Sequence, residues 1–276
     1  MRRLSFVLLS AVALFAEGCK SDGGKNGTNV EMMTFTARIG GGAKTEIVDP
    51  NVRWTTGDSI IINGEVFKSE LEGDGKTAVF TGKAVDPTYR AFYPAAVYKG
   101  ENDYALPKEQ IYAGTKLCDV NPMYAESSVT DLKFHNVCSL MRLRVTGTGT
   151  VKSIKVSADQ PLSGKCEMKK DSDGVYYAEV ASTGDTYVIL NCGDGVDLSS
   201  NPTFYIALPQ NNYTNLKFTL SNSDASSSGD DIEVPGEHGS SDDTQYGEGT
   251  SWESAPFSMN LKAGLIRDKE LTGVSL

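Results

Sequence analysis

A chain of 276 residues with 36 acidic and 26 basic side chains, and a formal charge of −10, offers no basic face for phosphates, which argues against nucleic acid as a partner. The same acidity argues against electrostatic docking to an anionic membrane. The length suits one large all-β domain or two of ordinary size.

The first segment reads as a signal. Arg2 and Arg3 precede an uncharged, mostly apolar stretch from Leu4 to Ala16, which has the length of a signal h-region and is too short to span a bilayer as a helix. Ala16-Glu17-Gly18-Cys19 then puts small residues three and one positions before a cysteine. That is the pattern of a bacterial lipoprotein signal in permissive form, with Cys19 as the lipidated residue after cleavage. Lys20 to Asn29 (KSDGGKNGTN) has nothing to bury and reads as a flexible tether.

From there the chain reads as strands. Thr34 to Ile39 alternates polar and apolar and stops at Gly40-Gly41-Gly42. Ser59 to Ile62 ends at Asn63-Gly64, a two-residue hairpin signal, and Glu65 to Lys68 returns. The turn Glu72 to Lys76 leads into Thr77 to Thr81, and Ala91-Phe92-Tyr93 ends at Pro94. Further strands are expected at Lys133 to His135, Leu140 to Val145, Val151 to Val156, Val175 to Val180, Tyr187 to Leu190, Phe204 to Leu208 and Leu216 to Leu220. No window of eleven or more residues carries a helical apolar period, so the chain is expected to be all-β and antiparallel.

A polar stretch, Ala125 to Asp131, suggests two β-rich halves, 30–128 and 129–276. The Ser-, Gly- and Asp-rich run from Ser221 to Ser254 is expected to be a long mobile loop. Ala255 to Leu261 resumes strand alternation beyond it.

Catalytic constellations are missing from the sequence. His135 sits in a strand pattern and His238 in the expected loop, with no nucleophile elbow and no HExxH. Gly75-Lys76-Thr77 resembles the tail of a P-loop, but Glu70 stands where the first glycine belongs. Asp230-Asp231 and Asp242-Asp243 do not fit a calcium loop. No metal, cofactor or enzymatic activity is expected. Cys118, Cys138, Cys166 and Cys192 form no CxxC pair; they allow up to two disulfides in an exported protein or serve as small buried hydrophobes. Trp54 reads as core, and Trp252, inside the expected loop, as a candidate ligand contact.

Several segments together resemble the fimbrillin family, the lipoprotein pilins of type V fimbriae in Bacteroidetes-type bacteria. They are the lipoprotein start, Met33 to Ala37, Val52 to Ile60 with its W-x-x-G-D-x-I stretch, Tyr93 to Ala96, Leu106 to Gln110, Pro122 to Ala125 and Leu132 to Cys138. The resemblance implies two tandem transthyretin-like (Greek-key) β-sandwich domains and an outer-membrane, lipid-anchored precursor. It also implies trimming by an Arg- or Lys-specific protease and assembly into a fimbrium with other pilin subunits by strand donation. Carried over by position, Met32 to Ile39 is the exchangeable strand, and Arg38 and Arg53 are the candidate processing sites. The alternative is a monomeric surface lipoprotein that holds a glycan or host protein and keeps its first strand.

Overall fold

The computed structural model describes residues 30–40, 54–69, 77–100, 103–112, 114, 122–224 and 249–276. In chain order the first half of the chain forms β1 (Met32–Ile39), β2 (Ser59–Ile62), β3 (Glu65–Ser69), β4 (Thr77–Lys83), β5 (Tyr89–Tyr93), β6 (Tyr98–Gly100), β7 (Asp103–Leu106), β8 (Glu109–Ile111), β9 (Met123–Ser127) and β10 (Asp131–Asn136). The second forms β11 (Cys138–Thr148), β12 (Thr150–Ser157), β13 (Gly164–Lys170), β14 (Tyr176–Val180), β15 (Tyr187–Asp197), β16 (Thr203–Pro209), β17 (Asn211–Ser221), β18 (Ser251–Glu253), β19 (Phe257–Leu261) and β20 (Ile266–Ser275). Two single-turn 3-10 helices complete the elements, and the described residues contain no α-helix. The protein is all-β.

Seven strands close into a barrel in the order β1-β10-β9-β5-β2-β3-β4, with β4 returning to β1. Alternation decides which side chains point inward. Phe35 and Ala37 of β1, Ile60 and Ile62 of β2, Ala78 and Phe80 of β4, and Leu132 and Phe134 of β10 are all buried in one core. Phe35 meets Phe67 and Tyr89 edge-on at ring separations of 5.2 and 4.8 Å. Trp54 meets Phe80 and Phe134 in the same way at 5.2 and 5.4 Å, the geometry the ring quadrupoles favour.

A second core lies between two sheets. One has the order β16-β11-β20 and the other β18-β17-β12-β15-β8, with β19 also paired to β17. Met141, Leu143 and Val145 of β11 share it with Ile154 and Val156 of β12 and Phe218 and Leu220 of β17. The side-chain amide of Gln110 in β8 acts as a short strand here: its Nε2 donates to Ala207 O at 2.8 Å and its Oε1 accepts from Ala207 N at 2.9 Å. It thereby satisfies part of the outer edge of β16 that would otherwise be open to pairing.

A third core ties these parts together. Phe92 and Tyr124 on barrel strands pack with Tyr104, Cys138, Cys166 and Ala178, beneath the sheet β14-β13-β7-β6. Phe92 stacks on Tyr104 at 5.4 Å, and Tyr124 meets Tyr176 at 4.8 Å. One buried residue, Val137, separates β10 from β11, and its carbonyl accepts from Ala178 N at 2.9 Å.

The chain crosses the line between 128 and 129 in both directions. Beyond it, β10 completes the barrel, while before it β7 pairs with β13 and β8 with β15. Pairing is not wholly antiparallel either: β1–β10, β11–β20 and β15–β8 are parallel. Alternation reports the face a residue occupies and is silent about the direction of its partner. The run from Ser221 to Ser254 is not loop throughout, since Ser221 ends β17 and β18 returns opposite it, Ser221 facing Ser251. Residues 225–248 lie outside the described residues.

Candidate functional site

β1 is the segment that the family resemblance makes the exchangeable strand, and it is held on both edges. From Met32 to Arg38 it pairs antiparallel with β4, and from Thr36 to Ile39 parallel with β10. The ladder continues past its end, where Gly40 N donates to Phe134 O at 2.8 Å. Its inward side chains, Phe35 and Ala37, are fully buried. Fully burying a side chain of phenylalanine size stabilises by about 1.5–3 kcal/mol relative to exposure.

Arg38 stands near the end of β1 with its side chain facing solvent. Its Nη2 forms an ion pair with Asp131 Oδ2 on β10, both side chains being about half exposed, so the pair adds little to stability. Its backbone faces Thr77 on one side and Lys133 on the other. A protease takes its substrate as a free extended segment, so cutting at Arg38 requires β1 to open locally first.

Arg53 and Cys19 lie outside the described residues. Trp252 is in β18, half-buried, opposite Leu220 of β17, and packs against the second core. Arg38, facing solvent on the barrel, and Trp252, packed on the second core, therefore belong to different sheets and are not brought together. Trp54, read as core, is buried in the barrel.

Cys138, Cys166 and Cys192 are buried free thiols, and Cys118 lies outside the described residues. Burial pushes the Cys166 and Cys192 thiols up to about 12, and burial followed by the neighbouring Cys166 raises Cys138 well above the ordinary value. Such thiols are protonated and unreactive near neutral pH. His135 is half-buried, and desolvation, then Lys133, lowers its pKa. Among the described residues no group of three or more His, Cys, Asp or Glu side chains converges on a point where a metal ion could sit.

Sequence reading passed over Gln210-Asn211-Asn212, whose amides line a cleft with Tyr177 and Asn260. The run of three amides was the available signal. Its partner residues are distant in sequence: Asn260 meets it through the pairing of β17 with β19, and Tyr177 is brought to the cleft on β14.

No protein-family model matches the chain, and no curated protein matches it. The solved structures to which it is similar include three from Bacteroides, each assigned provisionally to cell adhesion. The Bacteroides ovatus protein has 12% identity and a TM-score of 0.48, over 88% of this chain and 92% of that one. The Bacteroides fragilis protein has 11% and 0.45, over 89% and 94%, and the Bacteroides uniformis protein 13% and 0.40, over 68% and 78%. At that level of identity and overlap none of the three carries an argument about function.

Proposed function

We propose that the chain is a non-catalytic surface adhesion protein, a fimbrial subunit or accessory pilin exported as a lipoprotein through Cys19 and assembled by strand exchange. The observation that supports this reading is the setting of β1. Withdrawing it would leave β4 and β10 with unpaired backbone edges and uncover Phe67, Phe80, Tyr89 and Phe134 in the barrel core. A strand donated by a neighbouring subunit would satisfy both deficits at once, and its release would re-expose a core. The reading carries with it two tandem transthyretin-like sandwiches, a lipid anchor in the outer membrane, and processing at Arg38 or Arg53.

The test is brief treatment of the purified chain with an Arg-specific protease, followed by an unboiled denaturing gel and N-terminal sequencing of the products. A ladder of detergent-resistant oligomers built from a clipped subunit is the expected result. A single monomer band from a chain clipped at Arg38 or Arg53 would overturn strand exchange. In cells, Cys19→Ser should release the protein from membranes, and Arg38→Ala with Arg53→Ala should block maturation.

A further inference from the structure

A cleft of about 360 Å³ opens between β14 and the β17–β19 pair, within the range of roughly 300–1,000 Å³ typical of small-ligand sites. Its apolar lining residues are Pro161, Val180, Pro209 and Leu261, and the half-buried Tyr177 lines it with them. Four amides surround this patch. Gln210 Oε1 accepts from Ala263 N at 3.0 Å, Asn211 Oδ1 accepts from Asn212 N at 2.8 Å, and Asn212 Oδ1 accepts from Asn260 Nδ2. These bonds hold Gln210, Asn211 and Asn212 through their amide oxygens and Asn260 through its Nδ2. The NH2 groups of Gln210, Asn211 and Asn212 have no protein partner among the described residues.

We propose that this cleft binds a neutral oligosaccharide, with one sugar ring lying on Tyr177 and its hydroxyls bonded to the amides. A sugar presents an apolar C–H face and a rim of hydroxyls that both donate and accept. An aromatic ring beside fixed planar amides matches both features. An anionic ligand fits less well, because Glu179 and Lys262 bring one charge of each sign to the lining. An extended peptide also fits less well, since it needs a row of free backbone groups. Here β14 is paired along β13 and bonded through Ala178 N to Val137 O, and Asn211 to Tyr213 is paired to β19. The proposal deepens the adhesion reading by naming what the surface holds, and it rests on that reading for its biological setting alone.

Saturation-transfer NMR on the purified full chain tests it, with lacto-N-tetraose and maltotetraose as neutral probes and a sialylated lacto-N-tetraose as the charged control. Transfer to the ring protons of a neutral probe is expected. Tyr177→Ala should weaken binding about tenfold or more through lost ring contact, Asn212→Ala should weaken it comparably, and Tyr177→Phe should retain it. Absence of transfer to both neutral probes would overturn the proposal. So would transfer that survives Tyr177→Ala and Asn212→Ala in variants with unchanged melting, or a preference for the sialylated probe. Failure of the protein to reach the cell surface would instead overturn the adhesion reading and leave binding by the purified chain intact.

Discussion

Arg142 on β11 grips Asp268 on β20 with two near-parallel hydrogen bonds, Nε to Oδ1 at 2.6 Å and Nη2 to Oδ2 at 2.8 Å. The two residues face each other in the parallel register, and Arg144 Nη2 lies 3.5 Å from the same Oδ1. The bidentate fork fixes geometry as well as charge. Hydrogen bonding to Arg142 is the largest influence on the Asp268 carboxyl and holds it below the ordinary carboxylate range.

Both side chains are a third to a half exposed, so solvent screens the pair and its coupling should be about 1 kcal/mol or less. A double-mutant cycle of Arg142→Ala and Asp268→Ala, read from urea midpoints, measures it. Because the carboxyl is depressed, its contribution is present above the ordinary value of 3.8 and is lost as pH falls through and below it. The coupling should therefore vanish in strong acid. A coupling that persists there would mean that packing, not charge, links the two strands.

The far end of β20 depends on a glycine. A Cβ on Gly147 would lie 2.1 Å from Val274 O and 2.8 Å from its carbonyl carbon, at the place where the β11–β20 register shifts. Gly147→Val should push the end of β20 off β11 and cost about 1–3 kcal/mol by overpacking. Hydrogen exchange at Thr272 to Leu276 and digestion by carboxypeptidase should both speed up. Unchanged protection of that segment would show that β11 can yield without releasing its neighbour.

The buried thiols give a pH signature opposite to that of Asp268. Cys166 and Cys192 titrate near 12 in the fold against an ordinary value of 9.0. The fold thus binds their protons more tightly than the open chain does. Their contribution is complete below about pH 9 and drains away as pH rises towards 12. Stability should decline through that window, and Cys138→Ala, Cys166→Ala or Cys192→Ala should each flatten the decline. Tryptic mapping after alkylation should find peptides with Cys138, Cys166 and Cys192 modified only when denaturant is present. Modification in native buffer would contradict their burial.

What could be read beforehand was what local sequence controls. Alternation in Thr34 to Ile39 located β1, because a half-buried strand must show it. Asn63-Gly64 located the β2–β3 hairpin, and the two residues take φ of 48° and 90°, which suits a primed turn. The wider task of Asn63 was hidden: its side chain also bonds Asp86 O, Thr88 O and Arg90 N across the barrel end. β20 carries four charged residues in a row, Arg267 to Glu270, where no apolar alternation marks a strand; in the fold Asp268 meets Arg142 and Arg144 of β11, and Lys269 lies over the ring of Phe257. The three-residue strands β6, β8 and β18 carry too little pattern to stand out, and they exist because longer neighbours recruit them. The amide cleft joins residues far apart in the chain, so only the folded arrangement brings it into view.

β10 and β11 are separated by Val137 alone, and the first and last of the described strands lie parallel to them, β1 to β10 and β20 to β11. A pull applied at the start of β1 and the end of β20 therefore travels through one short, nearly continuous stretch of backbone. At each parallel ladder the opposing forces act at opposite ends of the paired strands. The hydrogen bonds are then loaded together in shear, instead of parting one after another as in an unzipping hairpin. A molecule tethered at one end and holding a partner at the other would meet tension with its strongest geometry.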